Sequence, residues 1–293
     1  MTATILSGSD LASRMRAQLS AEVAEFEARY GLVPTIAVLR VGEDPASVSY
    51  AGAIERSFGK RGMGFSLHTL PHTASQEEIV GLVAELNADE NVHGIMVQEP
   101  LPKGIDEAAV KDALSSAKDV DGVHPVNAGR LSQAAPIGRP PMVGAFFVPA
   151  TPAGGLEILK QYGVEIQGKH AVVVGRSNIV GKPMAMLLLR ENATVTMCHS
   201  RSANLAEVCH SADILCAAVG RPRMIKAGWI KPGAVVIDFG VNFVDDEMCG
   251  DVDFEEAKEV AGLITPVPGG TGPMTNVMLM RNVIEAARRQ VEG

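Results

Sequence analysis

Aromatic residues are scarce, one Trp, three Tyr and eight Phe in a chain of 293, which argues against a sandwich cored by stacked rings. Cysteine is scarce too. Cys198, Cys209, Cys216 and Cys249 lie 11, 7 and 33 residues apart, matching neither a zinc pattern nor a dense disulfide framework, so buried reduced thiols are expected. Positive charge is in deficit: 26 Lys and Arg against 34 Asp and Glu leave a net charge of −8, which would repel a nucleic-acid duplex or an anionic membrane. A long hydrophobic run is missing as well. The most apolar window, Met142 to Leu156, is broken by Gly144, Pro149, Pro152, Gly154 and Gly155, so no membrane span is expected. The N-terminus has no basic stretch followed by an apolar run, its first charge being Asp10 and its first cation Arg14, and a cytoplasmic protein is expected. No histidine pair stands at i, i+4 on a helical pattern, so no metal is expected. A small-molecule partner is the best prior.

What the chain does contain is aliphatic residues and turn formers. Hydrophobic residues make 46% of it, with 30 Gly and 17 Pro, enough for two cores at the usual ~150 residues per domain. Leu11, Met15, Leu19, Val23, Phe26 and Tyr30 recur at steps of three or four and predict a helix that Gly31 can end. Strands are expected at Pro34 to Val41, Phe65 to Leu70 and Val92 to Gln98, and a helix at Ala46 to Arg61. Ser75 and Glu78 form a capping box ahead of Ile79, Leu82, Val83 and Leu86. A further helix is expected near Asp106 to Leu114. This strand and helix alternation predicts a largely parallel sheet, with ligands beyond the strand carboxyl ends.

Arg130 to Pro152, rich in proline and small residues, reads as a linker or hinge. Alternation then resumes, with strands at His170 to Val174, Thr194 to Cys198, Ile214 to Val219, Val235 to Phe239 and Leu263 to Thr265, and helices at Pro183 to Arg190 and Asn204 to Ser211. The expected fold class is α/β, two open α/β domains with a cleft between them. The first covers 1–148 and the second, Rossmann-like, covers 149–274. A closing helix, 275–293, carries Val277, Met280, Ile284, Ala287 and Val291 on one stripe and is expected to pack back on the first domain.

Gly175-Arg176-Ser177-Asn178-Ile179-Val180-Gly181-Lys182-Pro183 joins a run of valines to a helix with Pro183 near its first turn. Such a junction exposes N–H groups suited to a phosphate, although it is not G-x-G-x-x-G, and a plain glycine turn is the competing reading. Near the next strand end, where a NAD site usually has a carboxylate for the ribose, the chain has Cys198-His199-Ser200-Arg201. Hydroxyl and cation there, with Arg176, favour a ribose phosphate and hence NADP over NAD. A solvated basic turn is the alternative.

Val41 to Ser47 followed by Tyr50 puts a tyrosine one turn into a helix. Gln98-Glu99-Pro100, Lys118-Asp119-Val120-Asp121-Gly122 and Pro266-Val267-Pro268-Gly269-Gly270-Thr271-Gly272-Pro273 add an amide, carboxylates and a rigid loop. These segments, in this order and with Gly175 to Pro183 among them, resemble the bifunctional methylenetetrahydrofolate dehydrogenase/cyclohydrolase family over nearly the whole chain. The resemblance implies a folate-binding first domain, an NADP-binding second domain and a cytoplasmic homodimer. It implies oxidation of methylenetetrahydrofolate, then hydrolysis of the methenyl product to formyltetrahydrofolate. By the same resemblance Tyr50 would stack on folate, Gln98 would bond near the reacting bridge and Asp121 would grip the pterin. Pro268 and Gly269 would bring backbone against the folate. Gly175, Arg176, Ser177, Ser200 and Val241 match the family's cofactor positions, and Gly181 and Arg201, read from the two motifs themselves, are expected to serve the cofactor with them.

The chain departs from the family pattern at Ile54, where a lysine is usual, at Glu99, where leucine is usual, and at Ala150, where cysteine is frequent. The stretch Pro136 to Val148 looks longer than the usual connection. Without the ammonium at position 54, oxidation is expected to persist and cyclohydrolase activity to be lost or weak. Glu99 is expected to face solvent, with service as a substitute base as its other role. Full bifunctionality, a non-catalytic folate-binding paralogue and a shikimate dehydrogenase-like enzyme are the rivals. A catalytic Lys and Asp pair is expected of the last, and Ile54 with the Pro266 to Pro273 loop argues against it.

Overall fold

The computed structural model of the chain describes residues 2–136, 146–245 and 247–292. Most of the Pro136 to Val148 stretch lies outside the described residues. In chain order the elements are β1 (Thr4–Ile5), α1 (Gly8–Tyr30), β2 (Thr35–Val41), α2 (Pro45–Gly59), β3 (Gly64–Leu70), α3 (Gln76–Ala88), β4 (Gly94–Val97), α4 (Glu107–Ala113), α5 (Pro125–Gln133) and α6 (Ala150–Gln161). Then come β5 (His170–Val174), α7 (Gly181–Arg190), β6 (Thr194–Cys198), α8 (Leu205–His210), β7 (Ile214–Ala217), β8 (Val235–Asp238), β9 (Asn242–Val244), β10 (Glu247–Cys249), α9 (Phe254–Ala257), β11 (Leu263–Ile264) and α10 (Thr271–Glu292).

The fold is α/β in two compact units. One unit contains Arg14–Gly129 with Ala145–Val148 and Asn276–Gly293, as far as these are described, and is built on the parallel sheet β3-β2-β4. The sequence dictates its elements locally. Asp44 accepts from the Ser47 N–H and caps α2, with Pro45 in its first turn. The capping box at Ser75 and Glu78 is formed in full, and Gly31 takes a left-handed φ of 67° after α1. The apolar face of α3, Ile79, Val83 and Leu86, packs with Ala37, Leu39 and Ile95 of the sheet.

The other unit contains the described residues of Met1–Ser13, Arg130–Gly144 and Pro149–Thr275. Its six strands run in the order β1-β11-β8-β7-β5-β6, all parallel. Strand β5 is His-Ala-Val-Val-Val with four residues buried, the continuous apolar run of a strand covered on both faces. From β5 the chain first moves outward to β6 and then returns to β7 on the other side, so the strand order reverses beside β5. Ligands of open α/β sheets bind at such a switch point, beyond the strand carboxyl ends. The small hairpin β9-β10 stands apart from this sheet.

Two features differ from the sequence-based expectation. The sheet of the second half takes its edge strand from near the N-terminus, where Thr4 pairs with Leu263, so residues 2–13 group with that unit and not with the first domain. A two-residue strand is too short to leave a periodic signal. Part of the supposed linker is helix, since α5 ends at Gln133 and α6 begins at Ala150. The glycines of α6 beyond that stretch serve close packing: a Cβ on Gly155 would lie 2.4 Å from the Phe239 ring, and one on Gly154 would lie 2.9 Å from Met274 Cβ. Among the described residues, no helix is long and apolar enough to cross a membrane.

Candidate active site

In the three-stranded unit, α2, the end of β4 and the turn after Lys118 place the expected folate residues. Gln98 is buried and donates from Nε2 to the Ser47 carbonyl at 3.0 Å, which ties it to the first turn of α2, three residues ahead of Tyr50. Its Oε1 is buried and, among the described residues, without a hydrogen-bond partner. An orphaned buried acceptor costs free energy unless a donor arrives, so this atom marks a place for one. Tyr50 is half-buried, and burial, with the negative charge of Asp121 nearby, raises the pKa of its hydroxyl.

Asp121 sits in a turn closed by the Gly122 N–H on the Asp119 carbonyl at 3.2 Å, with Gly122 left-handed at φ 69°. The Asp119 carboxylate secures that turn by accepting from the N–H groups of Val123 (3.1 Å) and His124 (2.8 Å) and from Asn127 Nδ2 (2.8 Å). Among the described residues nothing donates to the Asp121 carboxylate. Burial pushes its pKa up to about 7, with Asp119 and Glu99 adding to the rise and Lys111 opposing it. Lys118 of the same motif is structural: it is buried, and its ammonium donates to the Asp89 carbonyl at 2.6 Å and the Leu86 carbonyl at 3.3 Å, capping the end of α3.

Ile54 lies one turn beyond Tyr50 and is fully buried on the face of α2 that also carries Ala51 and Phe58. Glu99 is exposed, as expected, and is also ion-paired: its carboxylate lies 2.5 Å from the Lys111 ammonium. Sequence reasoning missed Lys111 because the pair joins a strand end to α4 across the fold.

In the six-stranded unit, Val174 is in register with Cys198, so the turn Gly175–Val180 and the turn Ser200–Arg201 leave the same edge of two adjacent strands. Gly175 has φ 125°, and a Cβ there would lie 2.0 Å from the Ala218 carbonyl oxygen. A Cβ on Gly181 would lie 2.3 Å from the Gly175 oxygen. Only glycine fits either place. Ser177 Oγ accepts from the N–H groups of Val180 (3.1 Å) and Gly181 (3.3 Å) and shapes the entry to α7. His199 shapes the second turn, its Nδ1 accepting from the Arg201 N–H at 3.1 Å. Arg176, Ser177, Ser200 and Arg201 are all exposed. Val241 follows β8 and is 59% exposed.

The loop with Pro268 and Gly269 belongs to this unit, not to the one carrying Tyr50, Gln98 and Asp121. Gly269, at φ 103°, accepts through its carbonyl from the Ser9 N–H at 2.9 Å, and Gly8 packs so closely that a Cβ there would overlap Gly270. Two buried carboxylates that the sequence reading did not single out, Asp238 and Asp251, hold the loops after β7 and β8. Burial raises the Asp238 pKa to about 7, against the pull of three N–H groups that favour its ionised form.

Comparison with known proteins bears on the same regions. Residues 6–121 match the model for the tetrahydrofolate dehydrogenase/cyclohydrolase catalytic domain, and residues 149–291 match that family's NAD(P)-binding domain. The chain is 50% identical over 292 residues to the bifunctional protein FolD of Chloroflexus aggregans, covering 99% of each, and 51% identical over 290 residues to that of Geobacillus thermodenitrificans, again covering 99% of each. Among solved structures, the Trypanosoma brucei methylenetetrahydrofolate dehydrogenase-cyclohydrolase, complexed with NADP cofactor and inhibitor, superposes with a TM-score of 0.93 at 36% identity, covering 100% of both chains. With both domain models matched and the fold shared from end to end, this chain belongs to the tetrahydrofolate dehydrogenase/cyclohydrolase family.

Proposed function

We propose that this protein oxidises methylenetetrahydrofolate to methenyltetrahydrofolate with NADP, in one-carbon metabolism, and that its cyclohydrolase activity is weak or lost. The observation that carries the folate assignment is the buried Gln98 Oε1, to which no described residue donates, in the unit that also presents Tyr50 and the half-buried Asp121 carboxyl. A pterin edge offers adjacent N–H donors, which a carboxylate accepts in bidentate fashion. Folate recognition is assigned to the three-stranded unit and NADP recognition to the six-stranded unit.

The residues present fit NADP, whose role when bound is to accept the hydride. Gly175 and Gly181 keep side chains out of the phosphate-binding turn, and exposed Arg176, Ser200 and Arg201 offer cations and a hydroxyl for a ribose phosphate. Val241 supplies an exposed apolar contact. As hydride leaves the methylene carbon, the neighbouring nitrogen lone pair forms the cationic methenyl product, so no general base is required. Tyr50, Gln98 and Asp121 act by positioning, which can supply ~7–11 kcal/mol of the barrier.

Hydrolysis differs, because an attacking water must lose a proton and a ring nitrogen must gain one. A proton carrier there is commonly worth ~10²–10⁴ in rate. Ile54 carries no proton, and its complete burial makes it part of the packing of α2. Full bifunctionality is the second reading, favoured by the names of the curated relatives and by Glu99 and Lys111, whose charges act on Asp121.

Purified protein given methylenetetrahydrofolate and NADP should reduce the cofactor and accumulate the methenyl product. Hydrolysis of added methenyltetrahydrofolate should run little faster than in buffer. Rapid hydrolysis that vanishes in Glu99→Gln would establish the second reading, and absence of both activities would point to a binding paralogue. Ile54→Lys should gain hydrolysis while losing thermal stability, since an ammonium enters an apolar place. A cytoplasmic homodimer belongs to the same proposal. Hairpin β9-β10 pairs Phe243, 66% exposed, with Met248, and is the face offered for self-association. Phe243→Glu should halve the mass measured by sedimentation.

A further inference from the structure

Three successive backbone N–H groups at the end of β7 converge on one carboxylate. Those of Val219 and Gly220 donate to Asp251 Oδ2 at 2.6 and 3.0 Å, and that of Arg221 donates to Oδ1 at 2.8 Å. Gly220 makes the convergence possible with its left-handed φ of 63°. Successive N–H groups curved in this way form an anion-binding nest, the kind of concavity that takes phosphate in many nucleotide sites. Here the nest is filled from within the chain, by a side chain that is fully buried.

The same carboxylate reaches a second loop, accepting from Asn242 Nδ2 at 3.0 Å. Gly240 lies against it so tightly that a Cβ would come within 2.5 Å of the carboxylate. Asp238 in turn fixes Asp251, accepting its backbone N–H at 3.1 Å while also holding Gly240 and Val252. Val241, between the two residues that Asp251 touches, is thereby presented on immobilised backbone. On the other side, the clamped segment continues directly from Ala218, which donates to the Val174 carbonyl at 2.8 Å and is the surface on which Gly175 is seated.

We propose that Asp251 is a positioning residue for the nicotinamide cofactor: by filling the 219–221 nest it bars phosphate from that loop and locks the backbone supporting Gly175 and Val241. The proposal rests on the reading that NADP binds this unit. Asp251 need not touch the cofactor, because it acts through the two loops.

The test compares the affinities of the full chain for NADP and for a folate substrate analogue, measured separately by calorimetry. Asp251→Asn turns an amide NH2 toward N–H donors and should weaken NADP by ~10-fold or more while folate affinity stays within ~2-fold. Val172→Ala, a cavity in the core of the same sheet, is the control for general destabilisation and should lower Tm with NADP affinity kept. Should Asp251→Asn fail to fold, Gly220→Ala and Asn242→Ala carry the test. The first has open space for its methyl but a strained φ, the second removes one hydrogen bond, and each should show the same split. NADP affinity unchanged in the folded variants, equal losses for both ligands, or an equal NADP loss in Val172→Ala would overturn the positioning role. Wild-type protein that binds folate but no NADP would instead overturn the reading beneath it.

Discussion

Tyr50, Gln98 and Asp121 present side-chain atoms, two of them acceptors left without donors, whereas Gly175 and Gly181 present backbone from which side chains are sterically barred. If these are the ligand sites proposed above, the two units prepare for ligands in opposite ways. The three-stranded unit holds polarity in reserve: a carboxyl with a pKa raised to about 7 and an orphaned amide oxygen are destabilising until something donates to them. In the six-stranded unit the buried carboxylates of Asp238 and Asp251 are satisfied internally, and what they produce is fixed loops. On the proposed reading, the first strategy would give specificity for a polar, planar ligand, and the second would give tolerance of close approach by a phosphate.

The largest effect should come from breaking the backbone strategy. Gly175→Ala places a methyl against the Ala218 carbonyl in a left-handed turn, and NADP-dependent oxidation should fall at least ~10²-fold, since displacements near 1 Å suffice for that. Folate binding by the other unit should persist in a calorimetric titration. Loss of both would mean the units do not bind independently.

Breaking the side-chain strategy should cost somewhat less. Asp121→Asn sets a donor against a donor and should weaken folate binding by ~1–3 kcal/mol with NADP affinity kept. Wild-type folate affinity should decline as pH falls below about 7, because protonation removes the carboxylate acceptor, and the variant should lack this decline. The effect on stability has the opposite sense. A folded pKa raised above the unfolded value means that stability present at acid pH is lost as pH rises toward about 7, so ligand-free Asp121→Asn should have the higher Tm above that pH. A lower Tm there would show that the carboxylate has partners which stabilise it.

The smallest effect sharpens the cofactor side. Arg176→Ala removes an exposed cation and should weaken NADP about tenfold more than NAD, the scale of one charge-assisted hydrogen bond. Equal losses for both cofactors would remove Arg176 from the phosphate pocket.

What could be read in advance was what the chain decides locally. The Ser75 and Glu78 capping box, the stop at Gly31 and the valine run of β5 each depend on neighbours within a few residues, and each formed as the sequence implied. The parallel α/β class followed from their alternation, and the motifs around Tyr50, Asp121 and Gly175 were short enough to stand out without coordinates. Tertiary structure alone decided the rest, because the deciding contacts join distant residues. Thr4 finds Leu263, Glu99 finds Lys111, and Asp251 collects N–H groups from a loop some thirty residues earlier. Arg130 to Pro152 reads as a linker because its composition is that of one, yet α5 reaches Gln133 and α6 begins at Ala150, and Phe239 and Met274 use the space that Gly155 and Gly154 of α6 leave. Local propensity sets which elements the backbone can make, while a buried carboxylate or a missing Cβ acquires its meaning only from the atoms that the fold brings against it.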